Sequence, residues 1–121
     1  MPRLRQIVSV TIHSIGQLPI RPDECKFKPS AFEREHHTTQ NPLCGGYTEK
    51  PTPAELEVTL NDNAKCNVDY EALNNVTDEN ISIEYSDGTS YVMPNAFTVE
   101  PVEPDKGELK AKFMSNISEK V

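Results

Sequence analysis

The sequence predicts a mainly β protein, an antiparallel β-barrel or sandwich with one short flanking α-helix. Apolar and polar residues alternate with a period of two over several short segments, which is typical of half-buried strands. The pair Asp87-Gly88 lies between two such segments, and Asp-Gly between alternating strands is a strong hairpin signal. Helical apolar spacing is convincing at about 68–75, where Asn67 or Asp69 can act as the cap.

The chain begins with a predicted strand at 6–13. In this segment Val8, Val10 and Ile12 share one face, so we expect all three side chains in the core. The sequence Ser-Ile-Gly-Gln then turns the chain. Two further short strands are predicted, one at 24–29 and one at 31–39, which contains Phe32.

A long loop at about 39–53 is predicted next. It holds several prolines and the pair Gly45-Gly46, which punctuate regular structure. Loops of this length in compact domains are usually functional or disordered. The alternative to a functional loop is a mobile surface loop without a partner.

The second half of the chain contains the clearest alternation, in the segments 54–60, 80–85, 89–94, 96–100 and 108–114. Their apolar faces and the helix predict further core residues, namely Leu56, Val58, Leu60, Leu73, Ile81, Ile83, Tyr85, Phe97, Val99, Leu109 and Phe113. About seven or eight strands with one helix suit a single domain over residues 1–121.

Composition argues against several classes of function. The 19 acidic and 12 basic residues give a formal charge of −7, and Arg3 and Arg5 form too small a basic cluster for nucleic-acid binding. The chain has no apolar run of about 20 residues, so we expect no contact with a membrane. Three widely spaced cysteines favour a reducing compartment over a disulfide framework.

The candidates for chemistry are weak, and we expect no enzyme activity, metal or cofactor. His36 and His37 are adjacent, so on a strand they point to opposite faces and do not easily bind one metal. A metal-dependent enzyme that combines them with Cys25, Cys44 and Cys66 remains one alternative. A small monomeric β-sandwich that binds a ligand through the loop at 40–53 is another.

Four motifs occur in a defined order along nearly the whole chain. They are "IGQLPI" at 15–20, "CGGYTEKPTPAELEVTL" at 44–60, "DYEALNNVTDENISIEYSDGTSYVMPNAFTVEPVEPD" at 69–105 and "KGELKAKFMS" at 106–115. Their order and spacing resemble those of the phage tail tube proteins of Mu-like contractile-tailed bacteriophages. The chain departs from the family pattern in its charged, histidine-containing segment at 32–44 and in having "PVEP" at 101–104.

The resemblance implies a structural protein whose hexameric rings stack into a tube, with an acidic lumen that conducts DNA during ejection. Implied partners are further copies of the chain and the tail sheath, tape-measure, tail terminator and baseplate proteins, while DNA passes without specific binding. The implied location is the virion tail, assembled in the host bacterial cytoplasm. The tube protein of a phage-tail-like particle or of a type VI secretion apparatus is the alternative within this class.

The resemblance also implies roles for individual residues. The predicted loop would reach a neighbouring subunit or ring through Leu43, Cys44, Gly45, Gly46, Tyr47, Thr48, Glu49 and Lys50. A carboxylate-rich surface repels phosphate, so candidate lumen residues are Glu33, Glu35, Glu55 and Glu57, although these could instead face the sheath. We expect removal of residues 43–50 to leave the domain folded but to prevent ring stacking.

Overall fold

The computed structural model describes residues 2–65 and 68–121, and within these ranges it contains eleven β-strands, one α-helix and two single-turn 3-10 helices. The strands are β1 (Ile7–Ile12), β2 (Gly16–Gln17), β3 (Lys26–Lys28), β4 (Ala31–His37), β5 (Gly46–Thr52), β6 (Ala54–Asn61), β7 (Glu79–Tyr85), β8 (Ser90–Thr98), β9 (Glu103–Asp105), β10 (Glu108–Ser115) and β11 (Glu119–Lys120). The helix α1 spans Tyr70–Asn74, and the 3-10 helices span Pro22–Glu24 and Pro42–Cys44. The predicted fold class is confirmed.

Nine strands form one antiparallel sheet that curls into an incomplete barrel. Its main path runs β2-β1-β7-β8-β10-β6-β3, with β11 beside β8 and β9 beside β10. The segment that follows β2 brings the two ends of this path together. Leu18 donates its N–H to the carbonyl of Val10 in β1 at 2.9 Å, and Ile20 forms a bridge with Leu60 in β6. Among the strands of the described ranges, the remaining two, β4 and β5, pair only with each other.

The core lies between the β1-β7-β8 and β6-β10 layers, because buried residues of both form one cluster. Of the predicted core residues, ten are buried, namely Val10, Ile12, Leu56, Val58, Leu60, Leu73, Ile81, Ile83, Leu109 and Phe113. Tyr85 is partly buried and packs against the cluster. Ile7 and Met93 are also buried, although the alternation did not single them out.

The prediction that Val8 belongs to the core is wrong. Its side chain is 38% exposed, whereas Ile7 and Val10 are buried. The pairing register between β1 and β7 shifts between Ile7 and Ser9, which indicates a β-bulge at this point. An extra residue in one strand resets the alternation, so Val8 points away from the core.

The predictions for Phe97 and Val99 are wrong for a similar reason, because these side chains are 40% and 39% exposed. The register between β7 and β8 shifts near Asn95, whose φ of 53° lies in the left-handed region. Met93 and Ala96 on either side of this irregularity both point into the core. After this point the pairing of β8 with β7 is shifted by one residue. The side chains of Phe97 and of Val99, which follows β8, therefore face outward.

The helix is shorter than the predicted span of 68–75. Asp69 caps it, because its side chain accepts hydrogen bonds from the N–H groups of Glu71 and Ala72 at 3.1 and 3.2 Å. The alternative cap, Asn67, and the third cysteine, Cys66, lie outside the described residues. At the other end Asn74 accepts a hydrogen bond from the N–H of Val102, which ties the helix to the chain after β8.

The predicted loop at 39–53 is corrected by the structure over half of its length. Residues Gly46–Thr52 form β5, which pairs with β4 along its whole length. The irregular connection is therefore confined to 38–45. Prolines obscured this strand in the sequence, but proline is tolerated in a two-stranded ladder wherever its missing N–H would face solvent.

Candidate functional site

The hairpin of β4 and β5 projects from the barrel, and we call its residues Ala31–Thr52 the arm. Every residue from 31 to 51 is exposed, while Thr52 at the base is partly buried. Seven-residue strands give the arm a length of about 24 Å. An isolated two-stranded hairpin is only marginally stable in water, so a long exposed hairpin favours a role in contacting another molecule.

Cross-strand pairing divides the side chains of the arm between two faces. The first, which we call the aromatic face, consists of Phe32, Arg34, His36, Tyr47, Glu49 and Pro51. The second, which we call the polar face, consists of Glu33, Glu35, His37, Gly46, Thr48 and Lys50.

The aromatic face combines exposed rings with an internally paired charge. Phe32 is 57% exposed and Tyr47 is 62% exposed. Arg34 Nε lies 2.9 Å from Glu49 Oε1, and the Arg34 guanidinium lies 5.8 Å from the centre of the Tyr47 ring. The cation therefore has both a carboxylate and an aromatic partner on the same face.

The tip of the arm is held by Asn41. Its side chain accepts a hydrogen bond from the N–H of Leu43 at 3.1 Å, and its carbonyl accepts one from the N–H of Cys44 at 3.0 Å. A Cβ at Gly45 would lie 3.3 Å from the His37 carbonyl oxygen, so this close approach favours glycine. Leu43, at the extreme end, is 93% exposed.

The eight residues predicted to reach a neighbour thus divide into two groups. Residues 43–45 lie at the tip, and residues 46–50 lie in β5. Tyr47 and Glu49 share the aromatic face, whereas Thr48 and Lys50 belong to the polar face. Sequence reasoning missed Phe32, which lies before the predicted loop. The signal in the sequence was an aromatic residue directly before a run of charged residues, which indicates an exposed strand that carries an exposed ring.

The four predicted lumen carboxylates do not lie on one surface. Glu33 and Glu35 are on the polar face of the arm, whereas Glu55 and Glu57 are on β6 in the barrel. The structure therefore divides the candidate lumen residues between two surfaces, one on the arm and one on the barrel.

The outward side of β3, β6 and β10 alternates in charge. Glu57 pairs in register with Lys26 on one side and with Lys112 on the other, where Lys112 Nζ lies 3.8 Å from Glu57 Oε1. Glu55 pairs with Lys28 in the same way. We call this surface the charged face, and it consists of Lys26, Lys28, Glu55, Glu57, Lys110 and Lys112.

A groove of about 360 Å³ crosses the charged face, and three further carboxylates line it, those of Glu24, Glu100 and Glu103. With these included, five carboxylates stand beside four lysines. Sequence alternation placed Glu55 and Glu57 on one face but could not show that lysines from both neighbouring strands would lie beside them.

The residues of the metal-enzyme alternative are dispersed where the structure describes them. His36 and His37 are on opposite faces of the arm, and His37 Nε2 lies 3.1 Å from Thr48 Oγ1. Cys44 is at the tip, whereas Cys25 lies partly buried beside β3. Among residues 2–65 and 68–121, no group of three His, Cys, Asp or Glu side chains is arranged to hold a metal ion.

No helix in the described part of the chain has both the length and the apolar character needed to cross a bilayer.

A model of the phage tail tube protein family matches residues 2–120. The chain belongs to this family. The tail tube protein of the Mu-like prophage FluMu from Haemophilus influenzae (strain ATCC 51907 / DSM 11121 / KW20 / Rd) is 35% identical over 89 residues, which cover 72% of this chain and 71% of that protein. The resemblance to Mu-like tail tube proteins is therefore confirmed.

Three solved structures share the fold over the whole chain. The tube-terminating cap of the anti-feeding prophage aligns with a TM-score of 0.63 at 15% identity and 90% coverage of that chain. The sheath/tube terminator of an extracellular contractile injection system aligns with a TM-score of 0.60, at 10% identity and 96% coverage of that chain. A chain of the sheath-tube complex of an extracellular contractile injection system aligns with a TM-score of 0.59, at 12% identity and 90% coverage of that chain. This chain thus shares its fold with these chains of contractile injection systems.

Proposed function

We propose that this chain is the tube subunit of a contractile phage tail, and that it forms hexameric rings which stack into a hollow tube. Family membership supports the tube role. The observation that carries the proposal is the arm, a 22-residue hairpin (31–52) in which all but the last residue is exposed. The exposed side chains of such an arm become buried, and the hairpin is stabilised, when a further copy of the chain packs against it.

The ring forms by head-to-tail association, in which one surface of the subunit meets a different surface of its neighbour. Such an interface closes into a ring when the rotation between neighbours divides a full turn. Contacts through the arm then link subunits within a ring or between stacked rings. Burial of the arm adds to the stability of a domain with a modest apolar content of 36%.

The charged face is our candidate for the wall of the duct, with Glu55 and Glu57 among the residues that line it. Glu57 stands between Lys26 and Lys112, and Glu55 stands beside Lys28, so across the strands the cations offered to the phosphates of DNA alternate with carboxylates. The formal charge of −7 adds a general repulsion. DNA would therefore slide along this wall during ejection without specific binding. Glu33 and Glu35 belong to the arm, so they line the duct only if the arm lies along the duct wall.

The proposed partners follow from the place of a tube in a contractile tail. They are the sheath around it, the tape-measure protein inside it, the terminator at one end and the baseplate at the other. Similarity of fold to a sheath-tube complex and to two terminating proteins supports the first and third of these. Assembly in the host cytoplasm and a final place in the virion tail complete the proposal.

The test is electron microscopy and sedimentation of the purified chain together with a variant that has a shortened arm. Removing residues 43–50 alone would take away most of β5 and leave β4 without its partner. Replacing residues 34–49 by Asn-Gly is the better change, because it shortens both strands equally and closes them with a two-residue turn.

We expect hollow, six-fold tubes from the unaltered chain. The shortened variant should keep the circular dichroism spectrum and thermal transition of the barrel but form no stacked tubes. Normal tubes from that variant would refute the role of the arm. An unaltered chain that stays a single particle at high concentration, and binds metal or turns over a substrate, would refute the proposed function.

A tube from a phage-tail-like particle is the second candidate, because the similar solved structures include an extracellular contractile injection system. Such a tube would share the rings and the arm contacts. The two candidates differ in cargo, so purified particles with DNA in transit through the tube would favour the phage tail. A monomeric binding module is the remaining alternative, and gel filtration distinguishes it from both tubes by size.

A further inference from the structure

We propose that the aromatic face of the arm, and not its polar face, packs against the barrel of a second copy of this chain. This inference rests on the proposed function, which requires only that the arm touch a neighbour. The face is defined by the register of β4 and β5, in which Phe32 pairs with Pro51 and His36 pairs with Tyr47.

The first argument is the kind of surface. Phe32 and Tyr47 are 57% and 62% exposed, and both rings lie on the same side of the arm. Aromatic and arginine side chains dominate the energetically important centres of protein interfaces. The polar face offers Glu33, Glu35, Thr48 and Lys50 instead, and glutamate and lysine are depleted in such centres.

The second argument is the cost of removing water. Arg34 is the sole full charge of its sign on the aromatic face, and Glu49 holds it at 2.9 Å. A charge that enters an interface with its hydrogen-bonded partner loses less on desolvation than one that enters alone. The Tyr47 ring, 5.8 Å from the guanidinium, adds a second contact that survives burial.

The third argument is charge compatibility, and it favours a second copy of this chain as the occupant. The arm carries three acidic and two basic residues, so its charge is −1 and the rest of the chain carries −7 + 1 = −6. The aromatic face has one Arg and one Glu and is neutral, whereas the polar face has two Glu and one Lys and carries −1. An acidic barrel therefore repels the polar face and accepts the aromatic face.

The experiment compares two double variants of the full chain, matched by position. The test variant is Phe32→Ala with Tyr47→Ala. The control is Glu33→Ala with Thr48→Ala, in which each change is moved by one residue along the same strand and so falls on the opposite face. The readout is the critical concentration for tube formation, measured by sedimentation and checked by negative-stain microscopy.

We expect the test variant to raise the critical concentration about tenfold or more and the control to change it by less than about twofold. Tubes from the test variant at the unaltered critical concentration would overturn the inference. Equal losses in both variants would also overturn it. In either case the proposed function stands, because the unaltered chain still forms tubes.

A second measurement uses the unaltered protein, so that a misfolded variant cannot mislead. Hydroxyl-radical footprinting should show Phe32 and Tyr47 protected in tubes relative to dissociated subunits. Acetylation of Lys50 on the polar face should proceed at similar rates in both samples. Protection of Lys50 with unprotected rings would reverse the assignment of the faces. An unaltered chain that forms no tube at any concentration would overturn both the inference and the proposed function.

Discussion

Ser30 and Ser118 exchange hydrogen bonds at the base of the arm, although they are 88 residues apart. The N–H of Ser30 donates to Ser118 Oγ, and the N–H of Ser118 donates to Ser30 Oγ, both at 3.0 Å. Ser30 directly precedes β4. Ser118 directly precedes β11, which pairs with β8 in the barrel. The reciprocal pair therefore fixes the base of the arm to the barrel.

A double-mutant cycle should detect this pair. Ser30→Ala or Ser118→Ala removes an acceptor and leaves a partly buried N–H without its partner, at a cost of about 1–2 kcal/mol in the free energy of unfolding. The double variant should lose about 1 kcal/mol less than the sum, because either single change also breaks the contact between Ser30 Oγ and Ser118 Oγ at 3.3 Å. Denaturant unfolding measures these values, and Ser14→Ala at an exposed position is the control. Strict additivity would contradict the coupling.

The irregularity in β8 depends on a left-handed residue at Asn95. Asparagine tolerates this conformation better than most residues, and glycine adopts it freely. We therefore expect Asn95→Ala to be about 1 kcal/mol less stable than Asn95→Gly in thermal unfolding. Equal stability of the two variants would show that the left-handed backbone is not required at this position.

The turn between β7 and β8 should weaken in acid through Asp87. A hydrogen bond from the N–H of Thr89 at 3.0 Å lowers the pKa of the Asp87 carboxyl, with smaller contributions from the Thr89 side chain and from Arg5 at 3.1 Å. Because the folded-state pKa is lowered, this stabilisation is present above the unfolded value of about 3.9 and is lost as pH falls through the folded value.

An NMR titration would follow both groups at once. The Asp87 carboxyl should titrate below its ordinary pKa, and the Thr89 amide should shift in the same pH range. In Asp87→Asn the acid-dependent shift of the Thr89 amide should disappear. An ordinary Asp87 pKa, or an unchanged Thr89 response in the variant, would refute this account of the turn.

Cysteine alkylation should distinguish two thiols. Burial raises the pKa of the Cys25 thiol, and its Sγ donates to the Arg21 carbonyl at 3.3 Å, so little reactive thiolate forms near neutral pH. Cys44 is exposed at the tip of the arm. Peptide mass spectrometry should therefore find Cys44 alkylated several-fold faster than Cys25 in the folded protein. Denaturation should remove this difference, and equal rates in the folded state would contradict it.

The sequence predicted most of the barrel because strands such as β6 and β10 keep their two-residue period and pair without a bulge. Leu56, Val58 and Leu60 are buried as the alternation of β6 requires, and Asp87-Gly88 lies in the predicted hairpin turn. Val8 and Phe97 were misplaced because Val8 lies at a β-bulge and Phe97 lies directly after one, where the alternation of side chains between the two faces is reset, and no residue pattern marked either bulge.

The arm was harder to predict because Pro51 and the pair Gly45-Gly46 are ordinarily signs of irregular structure. The strand partner of β5 lies outside the predicted loop, and pairing between distant segments is not visible in local periodicity. The charged face was missed for the same reason. The local sequence places Glu57 beside other carboxylates, and only the pairing of β6 with β3 and β10 shows that its neighbours in the sheet are Lys26 and Lys112.

The arm also has a consequence for handling the isolated protein. Both long margins of the hairpin carry backbone groups that a strand from another molecule could join, which makes non-native aggregation a hazard before assembly. Glu33, Glu35 and Lys50 act as gatekeepers along these margins, and Pro51 lacks the N–H needed to continue a foreign ladder. High ionic strength screens the repulsion between these exposed charges, so a buffer of low ionic strength should keep isolated subunits unaggregated and able to assemble for longer.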